Sequence, residues 1–253
     1  MKKNIYLALC IVFTIIFIGS SAGLGMTLYK YRQADKLYDD LRTRCVARLP
    51  GGTQQPEQSE EAPIIVDFDA LLQENSDIVG WLYCEDTPID YPVVQSDDND
   101  YYLRRDLNGN YLSAGTLFVD YRCSAVGTGQ NHIIYGHNMK NRTMFGTMSN
   151  YKEQSYYDDH PVLYYLTPGG NYKIELFAGL ITESDSEVYT PQFGSSEEFE
   201  VFLRNIKEKS TFSSDITVRG DDNIVTLSTC SYEFNNARYV VFGKLTGLSA
   251  ANM

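Results

Sequence analysis

Two patterns of apolar and polar positions divide the chain. From Asn4 to Tyr29 no side chain is charged, and apolar residues follow one another without a recurring polar face. Twenty-six residues of helix span roughly 39 Å at about 1.5 Å per residue, more than a hydrocarbon core of about 30 Å. Residues 1–29 therefore predict a single membrane anchor. A cleaved signal peptide is the competing reading, because Ser20-Ser21-Ala22 offers small residues at a cleavage point. Residues 30–48 are polar and predict a helix or stalk. Residues 49–63, LPGGTQQPEQSEEAP, are rich in Pro, Gly, Gln and Glu and predict a linker.

The body is expected over 64–253. In FDALLQENSDIVGWLYC the residues Phe68, Leu71, Leu72, Ile78, Val79 and Leu82 recur at helical intervals, with Asp67 available as a cap. Ile89, Tyr91 and Val93 alternate as in a strand, and Asp97-Asp98-Asn99-Asp100 reads as a turn. GTLFVDY and NHIIYGH are short strands. VLYYLTPGGNYKIELFAGLITE predicts a hairpin around Pro168-Gly169-Gly170-Asn171. SSEEFEVFLRNIKEKS is the clearest helix, capped by Ser195 or Ser196, with Glu197 and Glu198 at the positive end of its dipole. Standing alone among strands, it predicts a crossover on the outside of a sheet. NIVTLSTC and RYVVFGKLTGL close the body as two apolar strands. About eight strands with two or three helices and no internal repeat predict a mainly β fold, a closed and mostly antiparallel barrel. An open sandwich satisfies the same periodicity.

Charge narrows the function classes. Residues 1–48 hold eight basic and three acidic groups, whereas the remainder holds thirteen basic and thirty acidic ones. A body this acidic repels a phosphate backbone, so no nucleic-acid partner is expected. The basic flank after the apolar run, Lys30 to Arg44, would by the positive-inside rule keep the body in the cytoplasm. The short basic start followed directly by an apolar run is instead the export pattern. Residue counting leaves the orientation open.

Five cysteines, at 10, 45, 84, 123 and 230, show no CxxC pair and no disulfide-framework spacing. Cys230 ends the strand text TLSTC, and Arg238 opens the next strand eight residues on. If those strands are neighbours, a thiol and a permanent cation meet at one end of the sheet. A cation activates a thiolate, and a guanidinium fork also suits the oxyanion of a tetrahedral intermediate. A buried structural cysteine is the plainer alternative. Of three histidines, His137 stands where the strand IIYGH gives way to a polar turn, a position suited to a site. His132 lies inside that strand and is expected to be packed, and His160 reads as a loop group. A thiol and an imidazole are the minimum set for acyl transfer. No histidine or cysteine pair has metal-ligand spacing, and no GxGxxG or P-loop run is present. Neither a metal nor another cofactor is expected.

TLSTC with an arginine eight residues on, and IIYGHNM about ninety residues upstream, together resemble the sortase family. The long helix before the last strands, a helical piece before the barrel and the CSYEFNNARYVVFGKL ending resemble its class B members. The resemblance runs over about 64–247. It implies the eight-stranded sortase β-barrel with N-terminal helices and a long crossover helix, and a single-pass anchor with the catalytic domain outside the cell. It implies Cys230 as nucleophile, His137 as general acid and base, and Arg238 as oxyanion or substrate-positioning residue. Thr229, Ser231 and Asn235 are expected to bind substrate. The implied partners are secreted proteins carrying a C-terminal sorting signal, cut after threonine, and a peptidoglycan amine that accepts the acyl group. Class B preference for signals beginning Asn-Pro is part of that implication, and the calcium site of some class A relatives is not. Family members often carry an acidic residue directly after the cysteine; here it is Ser231, so no acidic role is carried over. A pilin-polymerising sortase using a lysine amine, a plain cysteine peptidase and a non-catalytic surface scaffold are the alternatives. The strand following GTLFVDY and the stretch ITESDSEVYT are expected to line the substrate groove.

Overall fold

Runs of Val, Ile, Tyr and Phe separated by Gly, Pro, Asn and Asp drive this chain into short strands. The computed structural model describes residues 2–49 and 61–248, so the expected linker over 49–63 falls largely outside the described residues. In chain order the elements are α1 (Lys2–Cys45), β1 (Val46–Arg48), β2 (Ile64–Val66), α2 (Phe68–Glu74), β3 (Ile78–Tyr83), β4 (Asp90–Val94) and β5 (Leu117–Val119). They continue with β6 (Asn131–Tyr135), α3 (Gln154–Asp159), β7 (Val162–Thr167), β8 (Gly170–Glu183), α4 (Ser196–Glu208), β9 (Asn223–Cys230) and β10 (Ala237–Gly247).

The chain divides into two compact units, one ending at Asp40 and one running from Leu41. In the first, α1 presents Ile11, Phe13, Phe17 and Ile18 as exposed side chains. Among the described residues, α1 is the one helix long and apolar enough to cross a membrane. An apolar helix with this much exposed surface fits a lipid environment better than water.

In the second unit, β1 pairs antiparallel with β2, and Leu49 N–H donates to the Pro63 carbonyl at 2.9 Å. The other eight strands close a barrel in the order β10-β8-β7-β3-β4-β5-β6-β9. Two pairings are parallel, β4 with β5 and β6 with β9; the rest are antiparallel. Closure leaves no open edge, which decides against the sandwich. Trp81, Leu82, Val93, Leu117, Ile133, Phe177, Leu227 and Phe242 are buried in the core, each side chain stabilising the fold by roughly 2 kcal/mol. Trp81 Nε1 donates to Asp90 Oδ1 at 2.7 Å, so the indole meets its polar requirement inside.

The crossover helix α4 forms where its sequence predicts. Ser195 Oγ accepts from Glu198 N–H at 3.1 Å, a cap worth about 1 kcal/mol. Its apolar face, Phe199, Phe202, Leu203 and Ile206, is buried. Phe202 meets Phe242 of β10 edge-on at 6.2 Å between ring centroids.

One expected helix is corrected. Asp67 does cap α2, its side chain accepting from Ala70 N–H at 2.9 Å, but the helix stops at Glu74 and residues 78–83 form β3. Asn75 turns the chain: its Nδ2 donates to Tyr102 Oη and to the Leu107 carbonyl, and its Oδ1 accepts from Asp77 N–H. Beyond that turn, Ile78, Trp81, Leu82 and Tyr83 are all buried, which a one-faced helix would not achieve. Tertiary burial overrides a helical spacing that extended β-branched and aromatic residues imitate.

Candidate active site

Cys230 is the last residue of β9 and Arg238 the second of β10, and the antiparallel register sets them directly opposite each other. Directly paired residues project to the same face, so thiol and guanidinium share one side of the barrel. The eight-residue spacing thus closes a hairpin whose ends carry both groups. The loop between them is stapled: Ser231 Oγ donates to Glu233, and Glu233 pairs with Lys152. The Lys152 ammonium holds the Glu233 carboxyl down at about 2, aided by the Ser231 hydroxyl.

The third group arrives from another pairing. β6 runs parallel to β9 with Tyr135 beside Ser228. The ladder continues through Gly136 N–H to the Ser228 carbonyl at 3.1 Å. Thr229 Oγ1 donates to the Gly136 carbonyl at 2.7 Å, and Asn138 Nδ2 donates to the Cys230 carbonyl at 2.8 Å. These bonds carry His137 to the level of Cys230. Gly136 is required for the approach, because a Cβ there would stand 2.5 Å from Leu117 Cδ2 and 2.6 Å from Phe145 Cδ2.

Cys230, His137 and Arg238 line one cleft of about 180 Å³. Two wider cavities, about 510 Å³ beside α4 and about 680 Å³ beside α3, have neither thiol nor imidazole in their walls. Cys230 is half-buried, and Cys45, Cys84 and Cys123 are buried. Burial pushes the Cys84 and Cys123 thiols up to about 11, so neither offers a thiolate at neutral pH.

His137 Nε2 lies 2.7 Å from the Leu103 carbonyl. A carbonyl only accepts, so Nε2 carries a proton and Nδ1 is the nitrogen left to exchange one. Burial lowers the pKa of this imidazole, the Leu103 carbonyl opposes that, and the Arg104 charge adds to the lowering. Arg238 Nη1 donates to the Asn236 and Ala237 carbonyls at 3.3 and 3.1 Å, which anchors the fork at the root of β10.

Of the residues expected to bind substrate, Thr229 lines the cleft. Ser231 and Asn235 are not among its walls; Ser231 is 7% exposed and engaged with Glu233, and Asn235 is exposed on the loop. The expected groove stretches do contribute, through Tyr135 and Gly136 on one side and Ser184 and Tyr189 on the other. Sequence reasoning missed Asn99, Leu103, Phe118 and Ser228 in the walls. Asn99 sits in the acidic turn before Tyr101, where a polar cluster reads as loop chemistry. His132 is buried within β6 as expected, and His160 caps α3 with Nδ1 at 3.0 Å from the Tyr156 carbonyl. Among the described residues, no three His, Cys, Asp or Glu side chains cluster to hold a metal.

The chain is similar to known proteins over most of its length. The family described as Sortase domain matches residues 82–246. Sortase B of Listeria monocytogenes is 35% identical over 247 residues, 97% of this chain and 98% of that protein. Sortase B of Staphylococcus aureus is 33% identical over 184 residues, 72% of this chain and 75% of that protein. Among solved structures, sortase B from Bacillus anthracis superposes with a TM-score of 0.74 at 36% identity, covering 87% of this chain and 99% of that one.

Proposed function

The chain belongs to the sortase family, as a class B member, and from that premise we propose that Cys230 is the nucleophile, His137 the proton carrier and Arg238 the oxyanion partner. Its activity is that of a cysteine transpeptidase: a sorting signal on a secreted protein is cleaved after threonine, held as a thioacyl enzyme and passed to a peptidoglycan amine. The observation that carries the residue roles is the convergence of three groups from β6, β9 and β10 on one cleft.

The Cys230 sulfur attacks the threonine carbonyl carbon, and the carbonyl oxygen takes the negative charge. The Arg238 fork, fixed at Nη1, meets that oxyanion with its remaining N–H groups, a stabilisation made only as charge develops. Collapse breaks the C–N bond, and His137 gives its proton to the departing amine through Nδ1. A thioester remains on Cys230. The acceptor amine then attacks the thioester, loses a proton to His137 and releases Cys230. Burial lowers the pKa of His137, so its Nδ1 takes the Cys230 proton as the sulfur attacks and hands it on to the departing amine.

Residues 1–29 anchor the chain in the membrane, with the catalytic domain outside the cell, where sorting signals and cell-wall amines are found together. Thr229 lies in the donor groove, while Ser231 and Asn235 shape the loop between nucleophile and arginine.

The test is product analysis with the full chain in detergent micelles. Sorting peptides beginning Asn-Pro are supplied with no amine, with a peptidoglycan-derived amine, or with a lysine-bearing peptide. The expected result is a joined product with the peptidoglycan amine and only slow hydrolysis without it. Joining to the lysine peptide alone would replace the acceptor assignment, and no cleavage of any peptide would remove the enzyme reading.

A further inference from the structure

At the end of β5 the carboxylate of Asp120 is completely buried. Removing a carboxylate from water is costly unless hydrogen bonds replace the hydration. Here they do. Oδ1 accepts from Arg122 N–H at 3.0 Å and Arg122 Nε at 2.9 Å. Oδ2 accepts from Arg122 Nη2 at 2.7 Å, Tyr135 Oη at 2.8 Å and Asn99 Nδ2 at 3.2 Å. Burial would raise this carboxyl, yet the Arg122, backbone and Tyr135 donors outweigh it and hold the pKa below its usual value.

The donors come from separate parts of the cleft. Asn99 belongs to the turn after β4, and its Oδ1 also accepts from Tyr121 N–H at 3.1 Å. Tyr135 ends β6. Arg122 Nη2 reaches further, to the Tyr189 carbonyl at 3.0 Å, in the short 3-10 turn that follows β8. Tyr189 in turn shares a hydrogen bond of 2.9 Å with Ser228 Oγ, and its ring lies 5.8 Å from that of Tyr135. Asn99, Tyr135, Tyr189 and Ser228 all line the cleft beside Cys230. The buried Asp120 carboxylate and its solvent-facing Arg122 partner thus tie together walls that the chain supplies from four separate places.

We infer that the Asp120–Arg122 pair is a positioning device for the donor peptide: it sets the shape of the groove through Asn99, Tyr135 and Tyr189 without touching the reacting groups. This rests on the peptide-transfer reading of the cleft given above. The reacting groups are held by other bonds, namely the β9–β10 register, the Asn138 bond to the Cys230 carbonyl and the Leu103 bond to His137. Loosening the pair therefore removes fit that ground state and transition state share, which raises KM and leaves kcat in place. A bidentate fork is needed, because one ammonium cannot span both Asp120 oxygens and the Tyr189 carbonyl.

The experiment compares the full chain with Asp120→Asn and Arg122→Lys. Donor-peptide KM and kcat are measured at fixed peptidoglycan-derived amine, together with the rate of iodoacetamide alkylation of Cys230 and amide exchange over 187–190. Both variants are expected to raise donor KM about tenfold. They are expected to keep kcat and the alkylation rate within about twofold, and to speed exchange over 187–190. Unchanged KM in a folded variant overturns the proposal, as does a fall in kcat or alkylation with KM unmoved. Failure of both variants to fold also overturns it, since the pair would then serve the fold first. If the parent chain itself cleaves no sorting peptide, the functional reading falls and this proposal with it; with an active parent, a negative result sinks the positioning role alone.

Discussion

Cys230 and Arg238 meet because a hairpin register places them opposite each other, and His137 joins them because Gly136 lets its strand end come close. The eight-residue spacing between thiol and guanidinium was legible in the sequence, since two adjacent apolar strands with a polar loop between them read as a hairpin. His137 was less so. Its partner strand lies about ninety residues away and runs parallel, and no periodicity encodes which strands pair at that distance; the motif around it, not its spacing, pointed to it. The Asp120–Arg122 pair was not legible, because an Asp-Tyr-Arg run at a strand end reads as an ordinary exposed turn until burial is seen. A pH prediction belongs to this scale. Burial and the Arg104 charge lower the His137 pKa, so the acid limb of kcat/KM should lie below the ordinary histidine value of about 6.5. Arg104→Gln removes the repelling charge, raises the His137 pKa and moves that limb to higher pH, an effect that shrinks as salt is added. A limb that stays in place in this variant would mean that His137 does not set it.

Among the elements, β6 links packing to chemistry. Its end is threaded between Leu117 and Phe145, both fully buried, with no room for a methyl group at 136. Gly136→Ala should therefore cost about 1–3 kcal/mol of stability through overpacking and lower kcat at least about tenfold by displacing His137. Gly169→Ala is the control, because a Cβ there meets nothing closer than Thr167 Oγ1 at 3.9 Å. Thermal unfolding and steady-state rates of the two variants test this, and equal behaviour would contradict it. Strand β3 carries the opposite lesson about the sequence. Apolar residues at 71, 72, 78, 79 and 82 fit a helix, and only the Asn75 turn and the barrel's demand for a strand beside β4 and β7 break the pattern. Helix α4, by contrast, was legible to its cap, because a one-faced helix on the outside of a barrel needs only local signals.

At the scale of the whole molecule, closure of eight strands buries a histidine at a cost. His132 is 6% exposed, its Nε2 has no partner among the described residues, and burial pushes the imidazole down to about 4 despite the Ser124 carbonyl. The unfolded chain takes up this proton near 6.5 and the folded chain only near 4. Stability linked to His132 is thus complete above about 6.5 and is lost as pH falls through that window, by roughly 3 kcal/mol in total. Denaturant unfolding of the parent and of His132→Gln between pH 7 and 4 should show the parent's advantage shrinking, whereas parallel curves would contradict the buried neutral state. The acidic body and the apolar anchor follow the same division of labour. The residues after Arg48 carry a net excess of carboxylates, and among the described residues α1 is the one helix long and apolar enough to cross a membrane.

In the reaction proposed above, the sulfur of Cys230 carries the acyl group between donor and acceptor. Mass spectrometry of the full chain, quenched during turnover of a sorting peptide with the amine withheld, reads that acyl group on the protein. The mass of the cleaved acyl fragment is expected on the Cys230 peptide of the parent and on no peptide of Cys230→Ala. An adduct that persists in Cys230→Ala, or that maps to another residue, would contradict it.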